Sequence, residues 1–223
     1  MVIRELVRPL PGVRKVSLLR QKIWFTNSAR YWEENYSRGG TSGGGSYGAL
    51  ACGKAEFLNT FVRDQGVESI IEFGCGDGHQ LSLATYPRYV GLDVSRTAIQ
   101  ICKKLFAADL SKSFFLYEGT CFVDPSGLLA ADLAISLDVV YHLIEDPVYE
   151  SYMSHLFGSS RRYVVVYATN HVMRDTGPHV RHRNFTAWVD ANCPQWRLTQ
   201  VQRGPDSGPG RADFFVFQLS IDP

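Results

Sequence analysis

The chain reads as an α/β protein: a doubly wound, mostly parallel sheet of seven strands, closed by an antiparallel C-terminal hairpin and preceded by a helical N-terminal lid. Three observations predict this. From residue 49 onward, apolar β-rich runs alternate with helix-compatible stretches, the pattern of a parallel sheet covered on both faces. A glycine-rich turn with Gly74, Gly76 and Gly78 ends the first of those runs. The last two runs alternate apolar and polar residues and are joined by RGPDSGPG, a loop full of turn formers that makes a hairpin.

Taken in order, residues 13–36 are helical in part, with Val16, Leu19 and Ile23, then Trp32 and Tyr36, at helical spacing. The tract RGGTSGGGSYG, residues 38–48, excludes regular structure and reads as a functional loop rather than a linker, because aromatics flank it closely. A helix follows over 49–65 and a strand over 67–73. After the glycines comes another helix-compatible stretch, with a helix N-terminus expected just beyond the turn. Strands are predicted over 89–92, 114–117, 132–137 and 163–168, with helices over 96–106 and 147–157 between them. An aromatic-rich helix follows Arg183, and the hairpin strands cover 196–202 and 213–221. There is no internal repeat, so residues 1–48 form a lid and loop, and 49–223 a single domain.

Composition narrows the class. With 223 residues, 45% hydrophobic and 20% charged, the chain can bury a core without covalent staples. The five cysteines (Cys52, Cys75, Cys102, Cys121, Cys193) form no CxxC, which argues against a disulfide framework or structural zinc and fits a reducing cytoplasm. No apolar stretch approaches the roughly 18–20 residues of a membrane helix, and charges interrupt the N-terminal segment too often for a signal peptide. Near-neutral net charge hides an asymmetry. Residues 1–30 carry +6 and residues 161–211 carry +5, against −8 over 31–160. An anionic partner would meet the two ends rather than the centre, unless these are simply solvated faces.

The chemistry concentrates in IIEFGCGDGH, residues 70–79, where a strand ends in Glu72 and turns through glycines so that backbone passes close to a ligand. His79 stands where a dinucleotide-binding fingerprint wants glycine, so the match is to an acid-x-Gly-x-Gly-x-Gly pattern instead. Twenty-one residues after Glu72, Asp93 ends the run YVGLD, placed to accept both hydroxyls of a ribose.

With these two signals the chain resembles the class I S-adenosylmethionine-dependent methyltransferases. ADLAISLDVVYHL, residues 131–143, is similar to that family's fourth motif, and Tyr31–Tyr36 with the glycine loop is similar to its YW-x-x-x-Y segment. The resemblance runs from about residue 30 to the C-terminus. It implies a Rossmann-like fold, an antiparallel seventh strand, and S-adenosylmethionine as cofactor with S-adenosylhomocysteine as product. It further implies that Glu72 belongs to the first motif, that backbone at Gly74, Cys75 and Gly76 lies against the methionine part, and that Asp93 holds the ribose. Val94 then flanks the adenine, Leu137 and Asp138 face the sulfonium, and Tyr36, Ser46 and Tyr47 close over the methionine carboxylate. The family's adenine-binding acid is missing: YEGTCF offers Thr120 or Glu118, or the base is held by backbone and apolar groups. Cys75 reads as a small buried residue rather than a nucleophile, since nothing basic is paired with it.

Methyl transfer from a sulfonium is a direct displacement, so the remaining need is a proton acceptor near the fourth and fifth strands. Asp138, His142, His179 and His182 are the candidate catalytic residues, with imidazoles titrating near about 6.5 when unperturbed. His142 reads equally as structural. Tyr141, His171, Arg181 and Arg183 are candidates for the acceptor. In HVRHR the two arginines fall on the side opposite His182, and a guanidinium fork suits a sugar phosphate, nucleotide sugar or acidic metabolite. The competing reading is a surface cluster that pairs with the acidic middle. No metal is expected, because Asp124, Asp138 and Asp146 make no octahedral set.

Three functions remain in order: methylation of an oxygen or nitrogen on a small, anionic metabolite or a glycan; methylation of RNA or another nucleic acid, suggested by the basic N-terminus with Trp24, Phe25, Tyr31 and Trp32; and cofactor binding without catalysis. A neutral pI near 7.7 and the lack of an Asn/Asp-Pro-Pro-Tyr motif or lysine-rich tract favour the first.

Overall fold

A computed structural model describes residues 27–173, 179–205 and 211–220. The first part of the predicted N-terminal helix, Trp24, Phe25 and most of RGPDSGPG lie outside the described residues. The elements are α1 (Ser28–Ser37), α2 (Gly48–Asp64), β1 (Ser69–Phe73), β2 (Arg88–Asp93), α3 (Arg96–Leu105) and β3 (Lys112–Leu116). They continue with β4 (Ala131–Leu137), α4 (Asp146–Gly158), β5 (Ser160–Ala168), α5 (Phe185–Asn192), β6 (Trp196–Arg203) and β7 (Asp213–Leu219).

The seven strands form one sheet in the order β3-β2-β1-β4-β5-β7-β6. Neighbours among β1 to β5 pair in parallel, and β7 runs antiparallel to both β5 and β6. Strand order reverses between β1 and β4, the place in an open α/β sheet where the crossovers part and leave a crevice.

Continuous apolar runs became central strands because both of their faces are covered. Ile71, Phe73 and Ala134 face a core with Met153 and Leu156 of α4 and Phe185 of α5. Ile70, Leu133 and Ile135 face the opposite core with Leu58 of α2 and Ile99 of α3. Each of the larger side chains contributes about 1.5–3 kcal/mol by leaving water. In the C-terminal pair β7 is buried from Phe214 to Phe217. Trp196 is the one buried residue of the outer strand β6, whose Leu198 and Val201 stay exposed.

Asn27 caps α1, Ser95 caps α3 and Asn184 caps α5, each accepting a backbone N–H of the first turn. One expected element is absent. Beyond the glycine turn there is no helix, only a 3₁₀ turn over Leu81–Leu83. Asn59 of α2 donates to the Leu83 carbonyl (3.0 Å) and accepts the Thr85 N–H (2.9 Å), which draws the chain outward before a second turn forms. Pro87 follows two residues on. No helix therefore starts directly after the glycine turn. Among the described residues, no helix is long and apolar enough to cross a membrane.

Candidate functional site

A cavity of about 380 Å³ opens where the C-terminal ends of β1, β2 and β4 meet, within the usual size range of small-molecule sites. Its floor is the glycine turn. Gly74 and Cys75 both donate to the Leu92 carbonyl (2.7 and 3.0 Å), which folds the turn back onto β2. Gly76, with φ +57°, lies so close to the covering loop that a Cβ there would sit 2.3 Å from Ser42 Oγ. Gly74, with φ +85°, would place one 2.4 Å from Val139. Only glycine permits both the turn and the approach.

Asp93 is buried at the end of β2. Its Oδ2 accepts the Gly76 N–H (2.9 Å) and its Oδ1 the Ser95 N–H (2.8 Å). Burial pushes its carboxyl up to about 6, with those two amides pulling the other way. Glu72 is also buried. Tyr89 donates to its Oε2 at 2.5 Å, and burial raises it to about 7.

The glycine loop covers the cavity and is fastened by Asp77, whose Oδ2 accepts the Ser42 N–H (2.9 Å) and the Tyr47 hydroxyl (2.8 Å). Ser42 Oγ accepts the Asp77 N–H (3.0 Å) and lies 3.0 Å from the Tyr36 hydroxyl. The start of α1 forms another side. The Ser28 N–H and hydroxyl donate to the Glu145 carboxylate (2.9 and 2.6 Å), and Glu33 ties α1 to Ser95 and Thr97 at the head of α3.

At the end of β4, Asp138 has φ +61°, the only non-glycine residue in the left-handed region among those described. Lys54, reaching from α2 and completely buried, pairs with its Oδ2 at 2.6 Å. Tyr141 donates to its Oδ1 at 2.7 Å. His142 lines the cavity with its Nδ1 2.8 Å from the His179 carbonyl. A carbonyl only accepts, so Nδ1 carries the hydrogen and Nε2 the lone pair. Burial lowers this imidazole to about 4, so it is neutral at pH 7.

Most of the residues predicted for the cofactor meet on this wall: Tyr36, Ser46, Glu72, Gly74, Cys75, Gly76, Asp93, Val94, Leu137 and Asp138. Tyr47 stands behind the loop, stacked on His79 at 4.0 Å. Thr120 does not reach the wall; it is exposed and donates to Glu118, and the wall contains Tyr117, Val148 and Tyr152 besides Val94. Of the four candidate catalytic residues, Asp138 and His142 line the cavity. His179 stacks on Tyr31 (4.7 Å), while His182 lies 2.5 Å from Thr169 Oγ1 and stacks on His171 (5.6 Å). The arginines are held elsewhere. Arg181 and Arg183 both donate to the Ile144 carbonyl and pair with Asp146, and Arg183 also reaches the Leu143 carbonyl and lies over the Tyr149 ring.

Sequence reasoning missed Lys54, Asp77 and Glu145. For Lys54 the available signal was its place on the apolar stripe of α2, three residues after Ala51 and four before Leu58. A lysine there must be buried, and a buried lysine needs a partner.

No family model matches the chain. Over 108 residues it is 29% identical to a small RNA 2′-O-methyltransferase of Arabidopsis thaliana, a stretch covering 44% of this chain and 12% of that protein. Among solved structures it is similar to the N-methyltransferase NodS of Bradyrhizobium japonicum WM9, bound to S-adenosylhomocysteine. That likeness has a TM-score of 0.65 and 14% identity and covers 86% of this chain and 98% of that one. It is also similar to the methyltransferase domain of bacterial CtHen1-C (TM-score 0.59, 19% identity, 76% and 98% covered). A third is magnesium protoporphyrin IX methyltransferase of Synechocystis PCC 6803 with S-adenosylhomocysteine (TM-score 0.59, 13% identity, 76% and 83% covered). The fold is that of the class I S-adenosylmethionine-dependent methyltransferases.

Proposed function

We propose that the chain is an S-adenosylmethionine-dependent methyltransferase that moves a methyl group to an oxygen or nitrogen of a small acceptor, a metabolite or a glycan. The observation that carries this reading is that Asp93 and Asp138 line one narrow cavity on the two sides of the Gly74–Gly76 turn. The cavity fits the cofactor in size and donor set. A buried carboxylate ends β2, close-lying glycine backbone forms the floor, and Val94, Tyr117 and Leu137 supply apolar wall. Solved structures of the same fold hold S-adenosylmethionine or its product, which supports the assignment.

Bound there, S-adenosylmethionine supplies an electrophilic methyl group open to direct displacement, so the chain's work is alignment and proton removal. Each Asp93 oxygen takes one backbone N–H and keeps lone-pair capacity for a ribose hydroxyl. The loop latched by Asp77 excludes water from the reacting end. His142, neutral and with its Nε2 lone pair free of the Nδ1 anchor, receives the acceptor's proton. Arg181 and Arg183 shape the rim by holding the loop at residues 143–146 and do not grip an anionic acceptor. The five cysteines are unpaired, which supports placement in a reducing compartment such as the cytoplasm.

The stretch of identity with a small RNA 2′-O-methyltransferase favours a second reading, an RNA acceptor. One experiment separates these. Labelled methyl from S-adenosylmethionine is offered with host-cell extract divided into small-molecule, glycan, RNA and protein fractions, with Asp93→Ala as control. Label in the small-molecule or glycan fraction, lost in the variant, is expected. Label confined to RNA, with binding that falls steeply with salt, establishes the second reading. Cofactor binding without label in any fraction makes the chain a non-catalytic binder.

A further inference from the structure

Lys54 is a completely buried lysine in the middle of α2, and its ammonium meets three groups. It pairs with Asp138 Oδ2 at 2.6 Å and lies over the Tyr167 ring at 5.2 Å, and its charge draws down the buried carboxyl of Glu72. Asp138 is clamped from every side. Its backbone N–H donates to the Tyr167 carbonyl (2.9 Å), the Tyr141 hydroxyl occupies Oδ1, and the glycine loop lies on Oδ2 so closely that a Cβ on Gly45 would be 2.8 Å away. A left-handed aspartate is strained and persists only where surroundings over-determine it. The buried cation is one of those surroundings.

This arrangement bears on the acceptor. An unpaired carboxylate at the reacting end of the cavity would attract a protonated amine. With Lys54 against it, Asp138 forms a neutral pair and offers no net charge to an ammonium. Tyr141 points its hydrogen at Asp138, so its oxygen is left to accept rather than donate. His142 likewise presents a lone pair, since its Nδ1–H is held by the His179 carbonyl. The Lys54–Asp138 pair, Tyr141 and His142 thus form a set of acceptors without net charge, complementary to a neutral O–H.

We infer that Lys54 is a positioning residue that sets the acceptor class: by pinning and neutralising Asp138 it fixes Tyr141 and makes the site select a neutral hydroxyl over an amine. The inference rests on the methyltransferase reading. In the step it serves, a lone pair of the acceptor oxygen forms the new O–CH₃ bond and the S–CH₃ bonding pair stays on sulfur. The hydroxyl proton passes to His142 Nε2.

The test uses the full chain with ¹³C-methyl S-adenosylmethionine and the extract fraction that takes label. NMR of the product distinguishes O-methyl from N-methyl. A dilution series of that fraction gives a plateau rate and a half-saturating dilution for wild type, Lys54→Met and Asp138→Asn. Expected are an O-methyl product and, in both variants, a plateau lowered by about 10²-fold, with half-saturation and calorimetric S-adenosylhomocysteine affinity unchanged in Lys54→Met. An N-methyl product from wild type overturns the inference, and so does a folded Lys54→Met with an unchanged plateau. Asp138→Asn removes the ion pair without burying a new apolar group, and it decides the matter if Lys54→Met fails to fold. Wild type that does not bind S-adenosylhomocysteine defeats the methyltransferase reading itself, a result distinct from these.

Discussion

Asp77 and Ser42 hold one another across the cavity mouth: the Ser42 N–H donates to Asp77 Oδ2 at 2.9 Å, and the Asp77 N–H donates to Ser42 Oγ at 3.0 Å. With the Tyr47 hydroxyl on the same carboxylate oxygen, one side chain fastens the glycine loop to the glycine turn. Hydrogen bonds to a charged group are worth about 1.5–3 kcal/mol each. Asp77→Ala is therefore expected to weaken S-adenosylhomocysteine binding by about tenfold or more, read by calorimetry, with the fold retained by circular dichroism. Unchanged affinity would mean that the loop does not cover the ligand.

Cofactor binding carries a pH limb from Asp93. Its carboxyl is pushed up to about 6, first by burial, with Asp77 and Glu33 adding like charge against the pull of the Ser95 and Gly76 amides. Only the ionised form accepts two ribose hydroxyls fully. S-adenosylhomocysteine affinity is expected to be level above pH 7 and to fall as pH drops through 6. Asp93→Asn should bind more weakly at pH 8 and show a flatter profile. A wild-type affinity level from pH 8 to 5 would show that this carboxylate does not hold the ligand.

Glu72 makes a separate statement about stability. Burial lifts its native carboxyl to about 7 from an ordinary 4.5. The native state therefore binds the proton more tightly than the unfolded chain. That stabilisation is fully present below about 4.5 and is lost as pH rises through 7. The span corresponds to roughly 3 kcal/mol at 1.36 kcal/mol per pKa unit. Glu72→Gln keeps an acceptor for Tyr89 and cannot ionise. Its urea midpoint relative to wild type should rise between pH 5 and pH 8, and a difference that stays constant would refute the assignment.

The strands β1, β4 and β5 were legible because burial on both faces leaves an uninterrupted apolar run, and the glycine turn because no other residue takes those φ values so close to Ser42 and Val139. The residues that fasten the site were not. Lys54 meets Asp138 across 84 positions, and Asp77 meets Ser42 across 35. Arg183 is satisfied largely by backbone carbonyls at 143 and 144, partners that any residue would supply and that leave no trace in side-chain pattern. The helix expected after Gly78 failed for a related reason: Asn59, distant in sequence, captures that segment.

Arg183 is expected to act through that loop. Its guanidinium donates to the Leu143 and Ile144 carbonyls, pairs with Asp146 and covers the Tyr149 ring at 4.4 Å. Arg183→Ala leaves those carbonyls without their donor, a cost of about 1–3 kcal/mol in unfolding free energy. Half-saturation for the acceptor should rise while S-adenosylhomocysteine affinity stays level. A variant with wild-type stability but lost acceptor binding would instead make Arg183 a direct anchor.

His142, the histidine in the lining of the cavity, gives the sharpest kinetic test. Burial lowers the His142 imidazole to about 4, with the His179 carbonyl and Asp138 only partly offsetting that, and the Nδ1–H anchor keeps the lone pair on Nε2. A base neutral at every pH above 5 imposes no acid limb on turnover between pH 5 and 8. At saturating cofactor, which removes the binding limb of Asp93, the plateau rate should be level across that range. His142→Gln should lower it by about 10²-fold with S-adenosylhomocysteine affinity unchanged. The outcome against the assignment is a plateau that falls tenfold per pH unit below about 6.5 and persists in His142→Gln. A limb of that kind belongs to an imidazole with an ordinary titration, and would move the proton away from His142.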